Sequence, residues 1–246
     1  MKRKDALKFV IVRSIGNFLV LFSIYGFFAT FGPALYYEGQ FQLIRLRGIN
    51  FSVVTVEDAL KQAGQPAGRQ GFGDISRVGD PNSSGPGFGQ ILQGSKDQIL
   101  VPADTQFSIT IPKIGASAKI YPNVDPANSS EFLPVLQKGI AHAKGSVFPG
   151  FSGNVYLFAH SADNWWNVGR YNAVFYLLKN LTSGDSVTVF FENVRHDYVV
   201  DTVFTMNPED TTYLKGPQNG KEQLVLQTCW PPGTTWKRIV VIARPK

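Results

Sequence analysis

The sequence predicts an all-β domain preceded by a single N-terminal transmembrane helix, and three observations predict it. From Lys96 onward about eight short apolar segments alternate between turn residues, with one or two short helices and no βαβ rhythm. That pattern argues one β barrel or sandwich. From Ser14 to Tyr37 no charged residue occurs. Between these two regions lies a glycine-rich stretch without sustained periodicity. At 246 residues and 43% apolar content the chain has room for a sizeable core.

The N-terminal helix comes first. Residues 1–13 carry Lys2, Arg3, Lys4, Lys8 and Arg13 against one acid, Asp5. The span 14–37 follows, rich in Ile15, Phe18, Leu19, Val20, Leu21, Phe22, Ile24, Tyr25, Phe27 and Phe28. Helical rise makes it about 36 Å long, enough for a ~30 Å hydrocarbon core with some tilt. The positive-inside rule puts residues 1–13 in the cytoplasm as a basic tail and the rest outside, with Tyr36 and Tyr37 at the outer interface. A cleaved signal peptide is the rival; the apolar run is long for one, and Ala29-Thr30-Phe31 is a poor small-x-small cleavage site.

Residues 38–96 read as a membrane-proximal segment and linker. Phe41, Leu43, Ile44 and Leu46 are spaced to continue a helix, and Thr55 to Ala63 reads as a short capped helix ended by Gly64. Gly64 to Ser95 holds nine glycines and three prolines. It is read as a flexible linker of about 30 Å coil-like reach, holding a folded domain (97–246) off the membrane.

Within that domain Phe107 to Ile111 alternates, and Pro112 and Gly115 punctuate before Ala118 to Tyr121. Ser129 to Gln137 is a short helix, and Asn154 to Ala159 a buried strand ending at His160. Tyr171 to Leu181 has helical spacing through Val174, Phe175, Leu177 and Leu178. Gly184-Asp185 turns into Ser186 to Glu192, which pairs with His196 to Phe204. Leu224 to Cys229 and Ile239 to Ala243 close the domain.

Composition excludes several functions. Outside residues 1–13 there are 19 basic and 17 acidic side chains, with no basic stripe interleaved with aromatics, so nucleic acid is not an expected partner. One cysteine permits no intramolecular disulfide and too few thiols for a zinc site.

That cysteine carries the chemistry. Leu224, Val225 and Leu226 give way to Gln227, Thr228 and Cys229, and Pro231 and Pro232 stop the strand, because proline cannot donate to a ladder. The thiol therefore sits where a buried strand emerges, although free cysteine is also a common small core residue. A thiolate nucleophile needs a nearby base or cation. His160 likewise follows an apolar strand and precedes a turn, and is the candidate base. His142 lies between helix and loop and reads as structural; His196, beside Arg195 and Asp197, reads as solvated surface. Arg238 follows a Pro-Pro-Gly loop, so an antiparallel return brings its guanidinium beside Cys229, where it suits an oxyanion. Arg244 shares its strand parity but lies at the far end. An edge-strand charge is the plainer alternative for Arg238.

Leu226-Gln227-Thr228-Cys229-Trp230-Pro231, with Arg238 opening an apolar strand, resembles the sortase Thr-Leu-x-Thr-Cys-x-Pro…Arg pattern, with Val225 in place of the first threonine. Ile111-Pro112-Lys113-Ile114 resembles the first-strand Ile-Pro-Lys-Ile. Gly139 to Ser146, Pro149-Gly150, Gly153-Asn154 and Phe158-Ala159-His160 resemble the segment leading to the sortase histidine, and Tyr176 to Leu178 with Gly184-Asp185 the helix and turn after it. The resemblance covers about Gln98 to Arg244, and the Cys-x-Pro ending is closer to classes C, D or E than to class A.

The resemblance implies a closed eight-stranded β barrel and a cysteine transpeptidase. Cys229 is then the nucleophile on a Leu-Pro-x-Thr-Gly-like signal, His160 the acid and base, and Arg238 the group that holds substrate carbonyls and the oxyanion. Thr228 assists that pocket, and Trp165 and Trp166 line the groove or pack at its rim. The implied partners are surface proteins with a C-terminal sorting signal, an amine acceptor on a peptidoglycan precursor or pilin, and the membrane. No cofactor is implied; some sortases bind calcium, but no acidic cluster here supports it. Two rivals are an L,D-transpeptidase, whose His-Gly…Ser-x-Gly-Cys spacing is missing around Cys229, and a non-catalytic membrane-tethered extracellular β domain.

Overall fold

In a computed structural model of the chain, the described residues are 3–54, 57, 92, 94, 96–161, 174–215, 220–232 and 234–246. Helix α1 runs unbroken over Arg3–Arg47. Its most apolar window is Leu7–Phe28, no part of which is buried in the protein. That window begins earlier than the charge-free stretch because Lys8 and Arg13 are embedded among apolar residues. The side chains of Tyr36 and Tyr37, expected at an interface, lie outside the described residues, as do the Thr55–Ala63 helix apart from Glu57 and almost all of the Gly64–Ser95 segment.

The C-terminal part of α1 is not a spacer. Phe41, 3% exposed, belongs to the same apolar cluster as the barrel interior. Glu38 forms an ion pair with Lys179 at 2.9 Å. After Gly48, whose φ of 62° suits glycine, strand β1 (Asn50–Val53) pairs in parallel with β2 (Asp97–Leu100). Arg195 fastens this small sheet to the barrel by donating Nη1 to the carbonyls of Val53 and Val54 at 3.2 and 3.3 Å. Residues 38–54, read from the sequence as a membrane-proximal segment, thus lie against the domain.

The barrel has eight strands: β3 (Phe107–Ile111), β4 (Ala116–Val124), β5 (Ile140–Ala143), β6 (Asn154–Phe158), β7 (Ser186–Phe191), β8 (Val194–Met206), β9 (Gln223–Trp230) and β10 (Lys237–Pro245). It closes in the order β10-β8-β7-β3-β4-β5-β6-β9. The ladders β4–β5 and β6–β9 are parallel, the others antiparallel. The closed eight-stranded barrel expected from the sequence is therefore the fold.

Alternation along each strand sorts the side chains into two layers. Ile109, Ile111, Ala118, Val155, Leu157, Val189, Val200, Leu224, Leu226 and Val241 fill the interior. Tyr156, Phe158, Val225, Val240 and Ile242 face outward into a second cluster with Leu136 and Met206. Helix α2 (Ser129–Leu136) covers that outer face. Asn128 starts it by accepting the Ser130 amide on its side chain at 3.2 Å, with Glu131 in the first turn. The expected helix over 171–181 is a 3-10 segment, Tyr176–Asn180; residues 171–173 are outside the described set.

Candidate active site

Cys229 and Arg238 are direct partners in the antiparallel β9–β10 ladder, so their side chains leave the same face of the sheet. The loop that follows Cys229 at Pro231 and Pro232 makes this return, as the sequence suggested. His160 reaches that face through the parallel β6–β9 ladder. Phe158 pairs with Gln227, and the Ala159 amide donates to the Gln227 carbonyl at 3.2 Å. His160 lies two residues beyond the end of β6 and lines the same groove as Cys229 and Arg238. Imidazole, thiol and guanidinium therefore border one groove.

This outer groove has a volume of about 530 Å³. Its floor includes Tyr156, Phe158, Gln227 and Cys229, and its walls come from Phe132, Leu133 and Leu136 of α2 and from Pro208, Asp210 and Leu214. The groove thus offers an apolar wall on one side and polar groups, His160, Thr228, Cys229 and Arg238, on the other. The outward parity of Tyr156 and Phe158 on β6 is the sequence signal that would have placed Tyr156 here. Its hydroxyl donates to the side-chain carbonyl of Gln227. Burial raises the Tyr156 pKa, Arg238 opposes that rise, and Asp210 adds to it, leaving a neutral phenol.

Cys229 is half-buried and free of any disulfide. Burial lifts its thiol pKa above the ordinary value, against the pull of the Arg238 charge. At neutral pH the resting group is a thiol, so attack requires a base to take its proton. Arg238 donates Nη1 to the carbonyls of Thr235 and Lys237 at 3.2 and 3.3 Å. These bonds hold the guanidinium at the loop end of the groove, which contains the thiol.

Thr228 borders the same groove, but its hydroxyl is donated to the Ala159 carbonyl at 3.0 Å. It ties the cysteine strand to the histidine strand. Trp165 and Trp166 lie outside the described residues. Arg244 is remote from the groove and pairs with Asp201 at 2.6 Å.

His142 is structural, though on strand β5 rather than between helix and loop. It is fully buried and stacks on Phe148 with ring centroids 4.6 Å apart. Nδ1 accepts the Asn123 amide at 3.3 Å, and Nε2 meets the Val147 carbonyl at 3.0 Å, which assigns the proton to Nε2. Burial lowers its pKa, with the Val147 bond opposing. His196 is half-buried against Gly150 rather than solvated. Arg195 and Asp197 share the opposite strand face and pair at 3.0 Å, which turns His196 inward. Among the described residues no group of three His, Cys, Asp or Glu side chains converges as a metal site would.

A thiol, an imidazole and a guanidinium facing one groove of a closed barrel make up the equipment of a cysteine acyltransferase. The sortase domain pattern matches residues 109–246, more than half of the chain, and the chain belongs to the sortase family. Over 139 residues it is 26% identical to Sortase D of Bacillus subtilis (strain 168), a stretch covering 55% of this chain and 61% of that protein. The match thus spans less than two-thirds of that relative's length. Among solved structures it is similar to sortase C1 from Streptococcus agalactiae, with 29% identity, 59% of this chain and 70% of that one covered, and a TM-score of 0.48. It is also similar to sortase C-1 from Actinomyces oris, with 26% identity, 57% and 72% covered, and a TM-score of 0.47.

Proposed function

We propose that the chain is a membrane-anchored cysteine transpeptidase. It cleaves a Leu-Pro-x-Thr-Gly-like sorting signal after threonine and transfers the protein to an amine on a peptidoglycan precursor or a pilin lysine. The observation that supports this reading is that His160 lines the same groove as the cross-strand pair Cys229 and Arg238.

The chemistry follows from these three groups. Cys229 Sγ attacks the threonine carbonyl carbon as His160 takes the thiol proton. Arg238 balances the charge that develops on the carbonyl oxygen. His160 then returns its proton to the glycine amine, the C–N bond breaks, and a thioester remains on Sγ. An incoming amine attacks the thioester, His160 accepts its proton, and Sγ leaves as the new amide forms. No step requires a cofactor. Trp165, Trp166 and Thr228 are proposed to border the bound peptide.

The apolar part of α1 and the basic residues before it support an anchor with the N-terminus in the cytoplasm and the barrel outside, where sorting-signal proteins arrive. The test uses the full chain in detergent, a sorting-peptide library and an amine. Transfer is expected with the native chain and with His196→Ala, and loss of transfer with Cys229→Ala and His160→Ala. Transfer by Cys229→Ala at the native rate would overturn the reading.

A further inference from the structure

Trp230 directly follows the nucleophile, and strand alternation sends the two side chains to opposite faces. Cys229 looks into the groove, whereas Trp230 packs against the interior cluster at the end of the barrel. The ladder ends there, since Trp230 pairs with Lys237 and Pro231 follows. Beyond it the loop is closed by the Thr234 amide and hydroxyl, which donate to the Pro231 carbonyl at 3.0 and 2.8 Å, but neither bond holds the Trp230 ring. Lys179 supplies a hold. Its ammonium lies 5.7 Å from the Trp230 ring centroid, 4.9 Å from that of Tyr176, and 2.9 Å from Glu38 Oε2 of α1. Gln42, one helical turn on, donates to the other Glu38 oxygen at 3.0 Å, and Phe41 anchors the same turn in the barrel core.

We propose that Lys179, held by Glu38, is a positioning residue for the nucleophile. It pins Trp230 and so fixes the direction of Cys229, which makes the membrane-proximal turn of α1 part of the active-site scaffold. Burial works against the Lys179 charge, but the Glu38 carboxylate and Tyr176 outweigh it and raise its pKa, so the cation persists across the working pH range. The mechanical consequence is that the helix entering the membrane and the strand carrying the thiol share one junction. The inference deepens the transpeptidase reading and rests on it for its kinetic arm only.

The experiment uses the full chain in detergent. Lys179→Met keeps the stem and removes the charge. It is expected to lower kcat about ten-fold with KM within about two-fold of native, short of the hundred-fold that a 1 Å misplacement can cost. Lys179→Arg, which keeps a cation over the rings, restores kcat to within about three-fold of native. Adding Glu38→Gln to Lys179→Met produces no further loss, because both changes break one junction. Two readouts need no substrate: acrylamide quenching of Trp230 in a chain whose other tryptophans are phenylalanine, and the rate at which a methanethiosulfonate reagent modifies Cys229. Both rise in Lys179→Met and revert in Lys179→Arg. Unchanged quenching and unchanged thiol modification in Lys179→Met, with only a lower unfolding midpoint, overturn the proposal and leave Lys179 a brace for α1. If the native chain transfers no peptide, the transpeptidase reading fails, and these two readouts still decide the positioning role.

Discussion

Cys229 and Arg238 stand directly opposite each other where the β9–β10 ladder opens into the groove. The guanidinium is the one cause that lowers the thiol pKa, against a larger upward push from burial. Replacing it with an apolar side chain of similar length leaves burial unopposed. Arg238→Met should move the pH profile of Cys229 alkylation upward by about one unit, the lower end of what an adjacent opposite charge commonly supplies. At pH 7 alkylation then slows by about ten-fold. In peptide transfer the same variant should lose on the order of 10² in kcat, as removal of one oxyanion donor does. A profile that stays in place would show that the guanidinium does not act on the thiol.

His142 gives a pH signature in stability rather than in chemistry. Burial depresses its folded-state pKa below the ordinary 6.5. The unfolded chain therefore binds a proton that the folded chain resists, and stability falls as the pH drops below about 6.5. His142→Gln removes that titration. Denaturant midpoints measured from pH 7.5 to 5 should fall less steeply in the variant than in the native chain. Parallel curves would mean that another group dominates this range.

Phe41 tests how far the folded domain extends. Its ring is part of the barrel core although it belongs to the helix that carries the apolar N-terminal window. Phe41→Ala should cost about 3–5 kcal/mol in a denaturant titration of the barrel, as for other buried aromatics. A loss within about 0.5 kcal/mol, typical of surface sites, would place residue 41 outside the cooperative unit.

Thr228 is expected to act through the strand tie. Thr228→Val preserves shape but leaves the Ala159 carbonyl without its hydroxyl donor, at about 1–3 kcal/mol. Thr228→Ser keeps the donor and should stay closer to native. Equal unfolding midpoints for the valine variant and native chain would argue that the bond contributes nothing net.

Much of this architecture was legible locally. Strand alternation placed the barrel strands, and two prolines after Cys229 with an apolar run after Arg238 implied the hairpin that sets the pair opposite. His160, read as a polar residue at a strand mouth, does line the groove that holds Cys229. The missed features depend on contacts between distant segments. Nothing near Glu38 announces that Lys179 will meet it, and an apolar helix carries no mark where its exposed apolar window ends and Phe41 turns to the core. His142 looked like a loop residue because glycines at 139 and 145 bracket it, yet the strand between them pairs with β4 and β6. His196 looked solvated because its charged neighbours were counted without their parity.

The central claim is that Cys229 forms a thioester with the threonine carbonyl of a sorting peptide. Intact-protein mass spectrometry of the full chain, quenched in acid after incubation with a Leu-Pro-x-Thr-Gly-like peptide and no amine, tests it directly. The account predicts an adduct equal to the peptide lacking its glycine end, mapped to Cys229 and released by hydroxylamine. A folded chain that cleaves the peptide with no adduct under single-turnover conditions, or with the adduct on another residue, would contradict it.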